Sequence, residues 1–244
     1  MGRAYAVASG KGGVGKTVTT AALGPTLGVD DTGPTVHDVL AGDATVPEAT
    51  RAGPHGLVVV PGATELDAFV RGDPAGLTDV VDTLVATHDH VFVDTGAGLS
   101  TDSVAAVRAA DETLLVTTLA RESVADAARA GAAAARVARP VRGVVVTEAD
   151  EAGGVAGRLD PPVLGTVPTD LAVETAVAAG APLADHAPGS PADRAYRALA
   201  RTLTGVDVAA PPATPTGADD DPATAETDGG RRRGGLLTRL LTFA

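Results

Sequence analysis

The stretch Gly10-Lys11-Gly12-Gly13-Val14-Gly15-Lys16-Thr17 constrains this chain more than any other. It fits G-x-x-x-x-G-K-[ST], the phosphate-cradling loop, which has meaning only between a strand and a helix. That context is present. Ala4-Tyr5-Ala6-Val7-Ala8 is short and apolar like a buried strand, and Thr17-Val18-Thr19-Thr20-Ala21-Ala22-Leu23 opens a helix. Glycines let the backbone turn tightly and approach an anion without a Cβ in the way. Successive N–H groups and the positive end of the helix dipole then face the phosphates. Lys16 is placed to reach the β- and γ-phosphates, and the Thr17 hydroxyl to sit on Mg²⁺.

Lysine usage points to the same stretch. Of 19 basic residues only Lys11 and Lys16 are lysines, and both lie inside the loop. Compact ammonium groups kept there, with arginine used elsewhere, suit phosphate.

The rest of the chain supplies the layers around that loop. Short apolar, often β-branched runs at about 4–8, 57–61, 90–94, 113–117, 143–147 and 163–167 alternate with Ala-rich helical stretches such as 75–87, 121–139 and 169–180. This alternation predicts an α/β fold, a mostly parallel sheet with helices on both faces. Ligands then bind beyond the C-terminal strand ends, where the loop should meet the other motifs. Between 18 and 35 the chain is compressed: Gly24-Pro25 should end the first helix, leaving only Thr26-Leu27-Gly28-Val29 for a short strand before Asp30-Asp31.

Val91-Phe92-Val93-Asp94 is an apolar strand ending in a carboxylate, followed by Thr95-Gly96-Ala97-Gly98. Asp94 at that tip can support Mg²⁺ through water, and the glycines permit a loop that senses the γ-phosphate. Asp30 and Asp31 are candidates for the other switch, positioning water or the metal. The five histidines show no ligand spacing and are read as surface or capping residues.

Length and composition bound the remainder. A chain of 244 residues is one core domain plus appendages. With no cysteine there are no disulfides, thiolate metal sites or Cys nucleophile. No apolar run reaches the roughly 20 residues that span a bilayer, and nothing resembles a signal peptide, so a cytoplasmic location is expected. The net charge of −12, with Arg preferred over Lys, resembles proteins of salt-accumulating organisms, although a GC-rich genome also favours Ala, Gly, Arg and Val. A broad nucleic-acid surface is disfavoured.

Three regions follow. Residues 1–205 are a nucleotide-binding domain, 206–230 a disordered acidic and Pro-rich linker, and 231–244 a basic amphipathic helix. In the last, Leu236, Leu237, Leu240 and Leu241 share a helical face behind Arg231-Arg232-Arg233, which reads as a peripheral membrane anchor, with docking on the domain or on a partner protein as the alternatives.

These residues resemble the MinD/ParA group of deviant Walker ATPases, whose signature is the extra lysine of Lys11-Gly12-Gly13-Val14-Gly15-Lys16-Thr17. The likeness covers roughly 4–204 and takes in Asp30 with His37-Asp38-Val39-Leu40, Asp94-Thr95-Gly96-Ala97-Gly98, Leu164-Gly165-Thr166-Val167-Pro168-Thr169-Asp170, and a closing helix from Ser190. The resemblance implies a P-loop ATPase using ATP and Mg²⁺, with an ATP-dependent homodimer in which Lys11 of one subunit reaches the nucleotide of the other.

By the same resemblance, Gly10 to Val18 and Gly96 contact the nucleotide. Lys11, Lys16, Asp30 and Asp94 carry hydrolysis, while Thr17, Asp30 and Asp94 serve the metal. Thr147, Pro168 and Asp170 lie by the adenine. The implied function is a switch that positions a partner at the membrane in its ATP state, with a cargo or activator protein. A DNA-partitioning ATPase and a nucleotide-bound scaffold with little turnover are the rival readings. The sequence departs from the family at the shortened first switch and at Thr147, where an adenine-binding Asn is usual.

Overall fold

A computed structural model describes residues 2–21, 32–53, 57–63, 71–98, 100–207 and 238–243. Among them, eight strands form one sheet. They are β1 (Arg3–Ala8), β2 (Arg51–Ala52), β3 (Val58–Val60), β4 (His90–Thr95), β5 (Glu112–Thr117), β6 (Val141–Thr147), β7 (Val163–Val167) and β8 (Thr238–Phe243). Their spatial order is β2-β3-β8-β4-β1-β5-β6-β7, and only the β2–β3 pair is antiparallel.

The helices are α1 (Lys16–Ala21), α2 (Val36–Ala41), α3 (Leu77–Val85), α4 (Thr101–Ala109), α5 (Arg121–Arg136), α6 (Leu171–Ala178), α7 (Leu183–His186) and α8 (Pro191–Thr204). The two-residue period of the strands distributes side chains to two cores. Ala4, Ala6, Val91, Val93, Leu115 and Val144 pack with Leu77, Val80, Val81 and Leu84 of α3 and with Val124 and Ala127 of α5. On the opposite face Tyr5, Val7, Phe92, Leu114 and Val145 pack with Tyr196, Leu199 and Leu203 of α8. Parallel strands covered on both faces must be apolar throughout, which is why β1, β4, β5 and β6 read as continuous runs.

Local chemistry fixes the helix ends. Thr35 and Asp38 form a capping box at the start of α2, and Gly42 closes it with φ 80°. Ser190 caps α8 with Pro191 in its first turn, and Asp193 is held by the Gly189 N–H at 2.7 Å and by Arg197 Nε at 2.9 Å.

The expected α/β architecture, strand positions and major helices agree with this arrangement. The C-terminus does not. Thr238–Phe243 is a strand inside the sheet rather than part of a helix over 231–244. Thr and Phe suit a strand, and β3 and β4 on either side supply hydrogen bonds to both edges of this segment. The short strand expected at 26–29, and most of the expected linker over 206–230, lie outside the described residues. No helix among the described residues is long and apolar enough to cross a membrane.

Candidate nucleotide site

The loop between β1 and α1 has the backbone its sequence calls for. Gly13 and Gly15 adopt φ 76° and 80°, a region that strains any residue with a Cβ. Gly10 answers a different need: a Cβ there would stand 2.4 Å from the Asp126 carbonyl oxygen of α5. The loop is tied to the strand beside it, because Gly98 N–H donates to the Ser9 carbonyl at 3.2 Å.

Lys16, at the start of α1, is buried, with 7% of its surface exposed. Its ammonium donates to Ser9 Oγ at 2.9 Å and lies 3.4 Å from the Lys11 carbonyl, while Ser9 Oγ donates to that same carbonyl at 2.6 Å. Burial lowers the Lys16 pKa, against the opposing pull of Asp94.

The Thr17 hydroxyl donates to Asp94 Oδ2 at 2.8 Å. Thr20, one turn further along α1, brings its hydroxyl 3.2 Å from Asp94 Oδ1 and 2.8 Å from the Lys16 carbonyl. Burial raises the Asp94 pKa although Thr17, Lys16, Thr20 and the Thr95 N–H all act to lower it. A buried ammonium and a buried carboxylate thus lie close together below the loop, each held there at an electrostatic cost.

Lys16 and Thr17 open into a cleft of about 770 Å³ lined by Gly13, Gly15 to Val18, Thr147, Glu148, Val167 to Asp170, Val173 and Tyr196. That volume suits a nucleotide-sized ligand. Thr17 and Asp94 are adjacent hard oxygen donors of the kind Mg²⁺ takes, so the donor set fits that ion. Among the described residues no three His, Cys, Asp or Glu side chains cluster to ligate a metal. An ion held mainly by phosphate oxygens and water needs no such cluster.

The expected site residues divide clearly. Gly10, Gly12, Gly13, Val14, Gly15, Lys16, Thr17, Val18 and Asp94 come together at the loop, with Gly96 just beyond Asp94 on the turn after β4. Lys11 lies on the loop with its side chain exposed. Asp30 and Asp31 lie outside the described residues.

Thr147, Pro168 and Asp170 line the cleft, but two of the three are engaged elsewhere. The Thr147 hydroxyl stands 2.7 Å from the Val14 carbonyl and 3.2 Å from the Thr117 carbonyl, so it braces the loop against β5 and β6. Asp170 caps α6 by accepting from Ala172 N–H and reaches Ala192 N–H at the start of α8, both at 3.0 Å; these bonds, Ala192 first, hold its pKa down.

Four contributors escape a motif search. Ser9 seats the Lys16 ammonium, and Thr20 faces Asp94. The i, i+3 spacing of Thr17 and Thr20 on one helix face was the available signal. Glu148 lines the cleft with φ 55°, a rare backbone for a non-glycine residue, and no sequence pattern announces it. Tyr196 closes the cleft, its hydroxyl 3.4 Å from Thr19 Oγ1 and its pKa pushed up to about 12 by burial.

Comparison with known proteins agrees with this geometry. Residues 5–183 match the family model described as the CobQ/CobB/MinD/ParA nucleotide binding domain. A protein of Methanocaldococcus jannaschii described as an uncharacterized ATP-binding protein is 31% identical over 237 residues, covering 84% of this chain and 89% of that protein. The septum site-determining protein MinD of Pyrococcus horikoshii, solved with Mg-ADP, superposes with a TM-score of 0.78 at 27% identity over 83% of this chain and 96% of that one. The cell division ATPase MinD of Pyrococcus furiosus does so at 0.77 and 29% identity, over 83% and 98%. Strand, glycine loop, buried lysine and strand-tip carboxylate converge on one assignment: this chain belongs to the CobQ/CobB/MinD/ParA nucleotide-binding domain family.

Proposed function

We propose that the protein is a MinD-like ATPase switch, which takes ATP and Mg²⁺ in this cleft, pairs with a second copy in the ATP state and positions a partner at a membrane. The observation that carries the reading is the convergence of Lys16, Thr17 and Asp94 beneath a loop that keeps Lys11 exposed. Lys16 neutralises the phosphates, the Thr17 hydroxyl and Asp94 hold the metal side, and Asp30 orients the attacking water. The Lys11 carbonyl helps seat Ser9 and Lys16 in its own loop, while its side chain is exposed. Its side chain is available to a nucleotide bound by a facing subunit.

Two states that differ in γ-phosphate contacts then differ in dimerisation, and the dimer doubles the valency of any weak membrane contact made through residues 231–244. Vesicle co-sedimentation of the full chain in concentrated KCl tests the reading. Pelleting with MgATP and not with MgADP supports it. Equal pelleting with both nucleotides removes the switch. No pelleting with either moves the protein towards the soluble, nucleotide-bound scaffold.

A further inference from the structure

Strand β6 breaks its own alternation where it meets the cleft. Val144 and Val146 pack into the core shared with α5, and Val145 between them into the core shared with α8. Thr147 keeps that pattern, turning its hydroxyl to the carbonyl of Val14, a member of the second core. A regular strand would return the next side chain to the α5 face. Instead Glu148 lines the nucleotide cleft beside Thr147, and Ala149 fills the α5-side core. The left-handed backbone at Glu148, φ 55°, is what re-aims the chain. A residue with a Cβ adopts that backbone at an energetic cost, so it persists only where the surroundings impose it. Here both neighbours are fixed. Thr147 is buried against two carbonyls, and Ala149 is buried with its N–H on the Val167 carbonyl at 3.0 Å. Glu148 between them is exposed.

The place it reaches is the end of the cleft away from the phosphate loop. That loop follows β1, and β6 and β7 lie two and three strands from β1, about 10–14 Å at strand spacing. Thr147 and Val167 are register partners, so Glu148 and Pro168 leave the sheet side by side. Val167, Pro168, Val173 and Val177 give this end apolar walls that suit a flat ring. Thr147, Asp170 and Tyr196 have their polar atoms committed to the protein. Glu174 also lines the cleft, but α6 presents it there with ordinary helical backbone. Only at Glu148 does the chain accept strain to bring a carboxylate to this wall.

We propose that Glu148 is the residue that reads the base, accepting a hydrogen bond from the 6-amino group of adenine. The proposal rests on the nucleotide reading given above. An ionised carboxylate accepts hydrogen bonds and cannot donate them. Adenine offers it an N–H at position 6, and unsubstituted purine offers nothing there. Hypoxanthine and guanine place a carbonyl oxygen at that position, so that two acceptors would face each other.

Isothermal titration of the full chain with ATP, purine riboside triphosphate and inosine triphosphate, each with Mg²⁺, tests the proposal. The three ligands share ribose and phosphates and differ only on the edge of the base. The parent should bind ATP about fivefold tighter than purine riboside triphosphate, and inosine triphosphate more weakly still. Glu148→Gly takes the left-handed backbone without strain and so remains folded. It should bind all three ligands alike, whereas Glu148→Gln, which keeps a carbonyl oxygen, should retain part of the preference for ATP. A merely structural Glu148 would move the three affinities together and leave their ratios unchanged. A parent that binds either analogue as tightly as ATP, or a Glu148→Gly chain that keeps the parent's ratios, overturns the role of Glu148 and leaves the nucleotide reading standing. A parent that binds none of the three overturns both.

Discussion

The Thr17 hydroxyl donates to the Asp94 carboxylate over 2.8 Å, joining the first turn of α1 to the tip of β4. With Lys16, Thr20 and the Thr95 N–H, this bond offsets the burial of Asp94, and in the proposed function the same pair serves the metal side of the cleft.

Asp94→Asn separates stability from binding. Burial raises the native pKa of Asp94, so its contribution to stability is present below the ordinary carboxyl value of 3.8 and is lost as pH rises through the native value. At pH 8 the nucleotide-free variant should melt at the same temperature as the parent or higher, with the gap narrowing towards pH 4. The rise in melting temperature that MgATP gives the parent should vanish. Differential scanning calorimetry at both pH values, with and without MgATP, checks this.

Lys16→Ala removes the buried ammonium that faces the phosphates. Truncating one partner of a buried charge pair costs about 2–5 kcal/mol, or roughly 30- to 4,000-fold in Kd for ATP. Ser9→Ala takes away only the hydroxyl that seats Lys16 and should cost about fivefold, near 1 kcal/mol. Isothermal titration of the two variants should preserve that ranking.

Thr147→Val tests the cleft wall. The hydroxyl is engaged by the Val14 and Thr117 carbonyls, so its loss leaves buried acceptors unmatched at a cost of about 1–3 kcal/mol. For a domain of about 200 residues that lowers the melting temperature by roughly 2–12 °C. The ratio of ATP to GTP affinity should not change. A shift in that ratio would return base recognition to Thr147.

Asp193→Ala addresses the scaffold instead of the chemistry. Asp193 is 2% exposed, accepts from the Gly189 N–H and pairs with Arg197, while its own N–H donates to Ser190 Oγ. Breaking a buried pair costs about 3–5 kcal/mol, and because α8 carries Tyr196 into the cleft, ATP affinity should fall together with stability. Chemical denaturation and nucleotide titration of the same sample should move together.

What the sequence disclosed depended on how local the determining forces are. The loop, β1 and α1 were legible because their meaning is contained in a few consecutive residues, and β5 and β6 because strands covered on both faces need unbroken apolar runs. The capping box of Thr35 and Asp38 was present as a signal for α2, yet six residues leave too little periodicity to read a helix from pattern alone. β8 was out of reach. Thr-Arg-Leu-Leu-Thr-Phe fits a helix face or a strand, and the choice is made by partners at 58–60 and 90–95. In the site, Lys16, Thr17 and Asp94 were readable from type and spacing. The orientation of the Thr147 hydroxyl towards backbone carbonyls, and the placement of Ser9 beside the Lys16 ammonium, exist only once the chain is folded.

The most direct test of the central claim is the mass of the full chain in solution, measured by light scattering on a sizing column in concentrated KCl with MgATP or MgADP, for the parent and for Lys11→Ala. The account expects a dimer for the parent with ATP and a monomer with ADP, and a Lys11→Ala chain that binds ATP with little loss but stays monomeric. A parent whose mass is the same with both nucleotides, or a Lys11→Ala chain that dimerises as the parent does, would contradict it.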